Sequence, residues 1–188
     1  MKPNVSNQRI VLVGVAGVGK TTIGKQLSSH FAVQHLDIDI ACEQRMEMSI
    51  DEMYESGMRG WEIDDVMMDV YSEILSGEPP MIISATPRIL DKTIFWTLSK
   101  QLAVTIHIRW KPLKILIREL ADVRQVDENL LLLTEEAKKD WYQYYNWRLR
   151  HCKRADHEFR LTGNIHDDTE SLANFIISVS KPFEKLAQ

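Results

Sequence analysis

Residues 14–21 read Gly14-Val15-Ala16-Gly17-Val18-Gly19-Lys20-Thr21, which satisfies G-x-x-x-x-G-K-[ST] at every fixed position. The flanks decide how the stretch is read. Ile10-Val11-Leu12-Val13 precedes it, an apolar β-branched run that predicts a buried strand at 10–13. Ile23, Leu27 and Phe31 follow at i, i+4, i+8 and predict a helix over 22–31. Strand, glycine loop and helix make the pattern a phosphate-binding loop. Its glycines allow a tight curl and close backbone approach. Its N–H groups then converge on an anion at the positive end of a helix dipole. Lys20 would reach the β- and γ-phosphates, and the Thr21 hydroxyl would ligate Mg²⁺.

Bulk properties bound what surrounds that loop. With 188 residues, 44% hydrophobic and 27% charged, the chain is ordinary for a globular protein and is read as one domain over 1–188. A net charge of −4 argues against a nucleic-acid or anionic-membrane partner. Cys42 and Cys152 stand far apart in no metal or redox motif, as reduced thiols of a cytoplasmic protein would. Residues 1–8 are polar, and the apolar run behind them is too short for a signal peptide. No run of eighteen apolar residues exists to span a membrane.

Further strands are expected at 33–36, 81–84, 104–108 and 158–161. Helices are expected at 40–44, 51–54, 61–75, 90–100, 113–121, 135–152 and 169–179. Alternation of the two predicts a parallel sheet covered on both faces. Asp37 and Asp39, two apart at a strand end, are expected on one side of it. One carboxylate would order the Mg²⁺ shell and the other would face an attacking hydroxyl.

From Lys20 onward the sequence resembles the shikimate kinases, within the nucleoside-monophosphate-kinase-like branch of P-loop proteins. The likeness rests on residues 14–27, on Leu36-Asp37-Ile38-Asp39, on Ser49-Ile50-Asp51-Glu52-Met53-Tyr54 and on Gly57. Weaker likeness continues at 112–118 and at Ala155-Asp156. The resemblance implies a three-layer α/β/α fold with a five-stranded parallel sheet in the order 2-3-1-4-5. It implies ATP and Mg²⁺ as cofactors, bound by Gly14 to Thr22 and by Asp37 on the metal side. Asp39 would take the acceptor hydroxyl, Arg118 would stack on adenine, and Arg124 would be the cation of a lid spanning roughly 119–134.

Departures from the family fall on the acceptor side. Glu62 stands at the place of one substrate arginine, with Arg59 one turn away. Thr86-Pro87-Arg88 replaces a glycine turn, and Trp147 aligns with the second substrate arginine, beside Arg148. The acceptor is therefore read as shikimate or a different hydroxyl compound, held by Asp39, Arg59, Trp61, Arg88, Trp147 and Arg148.

Other signals point to packing. Trp141, Tyr144 or Tyr145, and Arg148 share one helical stripe, which reads as core rather than as a base-stacking surface. The methionines between 46 and 68 read as adaptable filler. The resulting reading is an ATP- and Mg²⁺-dependent small-molecule kinase, monomer or weak dimer, acting on a small hydroxyl acceptor. The alternative is a catalytically silent nucleotide-binding module that serves regulation or partner binding. A nucleotide or nucleoside kinase of the same fold is a third reading.

Overall fold

The computed structural model describes residues 8–110 and 135–179. The helix expected at 113–121, the lid at 119–134, Arg118 and Arg124 lie outside the described residues. In chain order the elements are β1 (Arg9–Val13), α1 (Lys20–Phe31), β2 (Gln34–Asp37), α2 (Ile38–Met46), α3 (Ile50–Glu55) and α4 (Gly60–Ser76). They continue with β3 (Met81–Ser84), a 3₁₀ turn (Pro87–Ile89), α5 (Thr93–Leu102), β4 (Val104–Arg109), α6 (Glu135–Cys152), β5 (His157–Arg160) and α7 (Ile165–Val179).

The sheet has five parallel strands in the order β2-β3-β1-β4-β5, as expected, and the architecture is that of a P-loop kinase. Strand periodicity divides the core in two. Ile10 and Leu12 point to one face, where α1, α7 and Tyr145 of α6 cover them. Val11 and Val13 point to the other, packed with Met53, Ile63, Met67, Phe95 and Trp96 from α3, α4 and α5. The four apolar β1 side chains, Ile10 to Val13, are fully buried, each such residue contributing about 1.5–3 kcal/mol. Tyr145 belongs to the core as its stripe predicts; the side chains of Trp141 and Tyr144 lie outside the described set.

Register positions the site. Leu12 pairs with Ser84, and Asp37 pairs with the same Ser84. The Ala85 N–H donates to the Leu12 carbonyl at 2.9 Å and carries this pairing one step further. The carboxyl ends of β1, β2 and β3 are thus level, which brings Gly14, Asp37 and Thr86 to one edge. The chain leaves β1 toward β2 on one side and reaches β4 on the other. The end of β1 is therefore a topological switch point, where open α/β sheets bind ligands.

Several element boundaries differ from expectation, and three of the differences have a plain local cause. Helix α1 starts at Lys20, two residues early, because Gly19 itself is its N-cap. Helix α5 starts at Thr93 rather than at residue 90. The Leu90 carbonyl there accepts the Trp96 indole N–H at 2.7 Å and is lost to a helical ladder. Helix α7 starts at Ile165 rather than at residue 169, since Asn164 Oδ1 accepts the His166 N–H at 3.2 Å and caps an earlier turn.

Candidate active site

The glycine loop is shaped by backbone that side chains would spoil. A Cβ on Gly14 would stand 2.8 Å from the Ile108 carbonyl oxygen and 3.0 Å from Val18 Cγ1. Gly17 and Gly19 hold φ of 69° and 99°, in the left-handed region that favours glycine. Val15 and Val18 are buried and anchor the loop from below. Among the described residues, the N–H groups of Ala16, Gly17, Val18 and Gly19 donate to no carbonyl or side chain. No acidic residue sits in the first turn of α1, so its N-terminal dipole stays unopposed. Lys20 is 9% exposed, and its Nζ donates to the Gly14 and Val15 carbonyls at 3.1 and 3.0 Å. Open N–H groups, a helix N-terminus and a tethered ammonium form a cradle that suits phosphate.

Beside it, the Thr21 hydroxyl donates to Asp37 Oδ2 at 2.6 Å. This pair offers two hard oxygen donors, as a hard divalent cation requires. Thr22, one residue on, is exposed.

The aspartate pair is close, but not by strand alternation. Asp37 ends β2 and caps α2, its Oδ1 accepting the Asp39 N–H at 3.1 Å. Asp39 therefore lies in the first turn of α2, and a strand-to-helix junction brings the two carboxylates together. Asp39 Oδ1 is buried with no hydrogen-bond partner among the described residues. Burial pushes the Asp39 carboxyl above the ordinary aspartate value. A Thr86 hydrogen bond opposes that shift, the Asp37 charge adds to it, and Lys20 opposes it in turn. Thr86, a buried residue of the turn after β3, is read from the sequence only as part of the replaced glycine turn, because no spacing rule links it to Asp39.

On the other side of the loop, Val18, Gly19, Thr22, Trp110, Leu161, Gly163, Ile165 and Asp168 line a cleft of about 350 Å³, counted to its open mouth. Asp168 organises its wall: Oδ1 accepts the Thr162 N–H and hydroxyl at 2.8 and 2.9 Å, and Oδ2 accepts the Gly163 N–H at 3.0 Å. Gly163 has φ of 104°, and a Cβ there would meet Trp110 at 3.1 Å. The sequence reading missed this cleft. The signal was the Thr162-Gly163-Asn164 turn followed by Asp168, a hydrogen-bonding constellation whose meaning depends on Trp110 far away in the chain.

The remaining candidates gather around the turn at Pro87–Ile89. Arg88 Nε donates to Asp64 Oδ1 at 3.0 Å, and its Nη2 donates to the Gly60 carbonyl at 3.1 Å. Its guanidinium lies over the Tyr54 ring, 5.4 Å from the centroid. Arg148 Nη1 donates to the Pro87 carbonyl at 2.5 Å, and its guanidinium lies 4.6 Å from the Trp147 ring. Arg59 is exposed just ahead of α4, its N–H held by Glu62 Oε2 at 2.6 Å. Trp61 follows on the first turn, exposed. Asp64 and Tyr54, the partners of Arg88, were not among the expected site residues.

Comparison with known proteins shows the family and the fold. The family model for shikimate kinase matches residues 16–178. A shikimate kinase of Alkaliphilus oremlandii is 31% identical over 139 residues, covering 70% of this chain and 74% of its own length. The structure of a shikimate kinase from Bacteroides thetaiotaomicron superposes with a TM-score of 0.77 at 20% identity, covering 91% of this chain and 99% of that one. A shikimate kinase from Acinetobacter baumannii, solved in complex with shikimate, gives 0.77 at 18% identity over 97% of each chain.

Proposed function

Because the chain belongs to the shikimate kinase family, whose members are phosphotransferases with an alcohol acceptor, we propose that it moves the γ-phosphoryl group of ATP, with Mg²⁺, to a hydroxyl of a small molecule. The observation that carries this reading is the orphaned Oδ1 of Asp39 on the same sheet edge as the Lys20 cradle.

The cofactors fit the residues present. The open N–H groups of residues 16–19 and the Lys20 ammonium would hold the triphosphate, with Gly14, Val15 and Thr22 completing the loop. The cleft bounded by Thr22, Trp110 and Gly163 would take the nucleoside. Thr21 and Asp37 would hold the metal, Thr21 by its hydroxyl and Asp37 through ordered water. Bound Mg²⁺ would neutralise charge on the phosphate oxygens.

The chain's own part is positioning and proton handling. Asp39 would accept the acceptor hydroxyl through the buried Oδ1. Its burial-raised proton affinity suits it to take that hydrogen as the new P–O bond forms. Lys20 would stabilise charge that develops on the transferring group. Arg124 in the lid would do the same from above, and Arg118 would stack on the base. Arg59, Trp61, Arg88, Trp147 and Arg148 would form or support the acceptor wall.

Among the described residues no helix is long and apolar enough to cross a membrane. Cys42 and Cys152 are free and buried thiols, which fits a reducing compartment, and the reading takes the protein as cytoplasmic and as a monomer or weak dimer. The test is ADP release with Mg²⁺ over a panel of hydroxylated acids, neutral alcohols, sugars and nucleosides, with Lys20→Ala as the blank. Acceptor-dependent turnover supports the reading; nucleotide binding with no turnover on any acceptor rejects it in favour of a regulatory module.

A further inference from the structure

Two of the cations on the acceptor side of Asp39, Arg88 and Arg148, already have work, while Arg59 stands exposed ahead of α4. Arg88 spends Nε and one Nη on Asp64 and the Gly60 carbonyl, and its face on Tyr54. Asp64 is also shared by Lys92, whose Nζ lies 3.2 Å from Oδ2. The Arg88–Asp64 pair is well shielded, with side chains 26% and 16% exposed. Such a pair resists exchange, because a ligand that took Arg88 would leave the half-buried Asp64 with Lys92 as its remaining cation partner. Arg148 is turned to the Pro87 carbonyl and laid on Trp147. Both guanidinium groups thus brace the Pro87–Ile89 turn, and with it Thr86 above Asp39. Asp39, Glu62 and Asp64 offset most of the positive charge brought by Arg59, Arg88, Lys92 and Arg148.

The large exposed apolar surfaces at this end are aromatic. Trp61 follows directly on Gly60 and is 54% exposed; Trp147, under Arg148, is 38% exposed. An indole face favours flat or apolar ligands and gains nothing from a carboxylate. We propose that the acceptor is an uncharged hydroxyl compound with a flat or apolar face, an aromatic or alicyclic alcohol, and that Arg88 and Arg148 hold the wall instead of binding an acceptor carboxylate. This rests on the phosphotransfer reading above and names its substrate class.

The experiment compares matched pairs that differ in charge and by one methyl group: shikimate with its methyl ester, and 4-(hydroxymethyl)benzoate with its methyl ester. The full chain is loaded with MgADP, acceptor binding is followed by tryptophan fluorescence, and phosphotransfer is measured with MgATP. At least one ester is expected to bind ten-fold or more tightly than its acid. Equal or tighter binding of both acids, or binding of neither ester, overturns the proposal. In Asp64→Asn, which releases Arg88, the ester-over-acid ratio is expected to fall at least ten-fold; an unchanged ratio overturns the bracing role. MgATP affinity and turnover, read on the same sample, separate the two failures. An acid preferred with turnover intact overturns only the substrate class, whereas loss of MgATP binding or of all turnover sinks the phosphotransfer reading and this inference with it.

Discussion

The two ends of this site are built from different materials. The phosphate end is backbone: residues 14–20 are contiguous, and their function lies in N–H groups, glycine φ angles and one tethered lysine. The proposed acceptor end is side chains from separate segments, with Arg88, Asp64, Tyr54, Arg148 and Trp147 meeting only through the fold. Phosphate chemistry is fixed, so a backbone cradle can stay the same while side chains at the other end change. Here the cradle keeps every fixed position, while Glu62, Pro87 and Trp147 stand where the resemblance expects an arginine, a glycine and an arginine.

Substitutions can break this contrast in graded steps. Lys20→Ala removes the one ammonium of the cradle, and a loss of transfer of about 10³-fold is expected from the weight of a single group that stabilises transition-state charge. Steady-state ADP release, with circular dichroism as the control for folding, checks it. Asp39→Asn acts at the other end of the same reaction and should cost about 10²–10⁴-fold in kcat with MgATP affinity kept, the range for a positioned general base.

Stability should move the opposite way in Asp39→Asn. The folded-state pKa of Asp39 is raised, chiefly by burial, so its contribution to stability is intact at low pH and is lost as pH rises through the raised value. Wild type should therefore lose stability over the pH window in which its activity rises, and the asparagine variant should not. At neutral pH the variant should melt higher, by about 2–4 °C for each kcal/mol regained. A melting curve against pH for both proteins decides it.

Gly14→Ala tests whether the cradle is truly a backbone device. The added Cβ meets carbonyl oxygen at 2.8 Å, and about 1–3 kcal/mol of destabilisation is expected from such overpacking, with weakened nucleotide binding. Thermal melts with and without MgADP read both. Trp61→Ala should have the smallest effect: a several-fold rise in acceptor KM with MgATP affinity unchanged, since the indole is exposed and would meet one side of one ligand. A Trp61→Ala protein whose nucleotide affinity falls as far as its acceptor affinity would mean that the two ends are not separable.

What the sequence made legible follows the same division. Strand β1, the loop and α1 could be read because local period, glycine spacing and capping all point one way. Strand order came with the family resemblance and holds in the fold. The junction at Asp37–Asp39 was half legible: the residues were found, but the capping of α2 by Asp37, rather than strand alternation, is what brings them together. The brace on Arg88 was not legible, since Asp64 lies 24 positions away on a helix whose rotation only packing fixes. The Trp110–Gly163 cleft was hidden for the same reason, joining the end of β4 to the turn after β5. The late start of α5 at Thr93 follows from the Trp96 indole taking the Leu90 carbonyl, a contact across six residues that periodicity does not register.

The central claim is that phosphoryl held at residues 14–22 passes to a hydroxyl at Asp39, and its most direct test is a count of product. Phosphorus NMR of the full chain with Mg²⁺, ATP and the neutral and acidic acceptor pairs would show whether a phosphate monoester forms in step with ADP. The account predicts one monoester for each ADP, saturable in a neutral acceptor and formed about 10²–10⁴-fold more slowly by Asp39→Asn that still binds MgATP. Nucleotide bound tightly with no monoester from any acceptor, or a monoester formed equally well by Asp39→Asn, would contradict it.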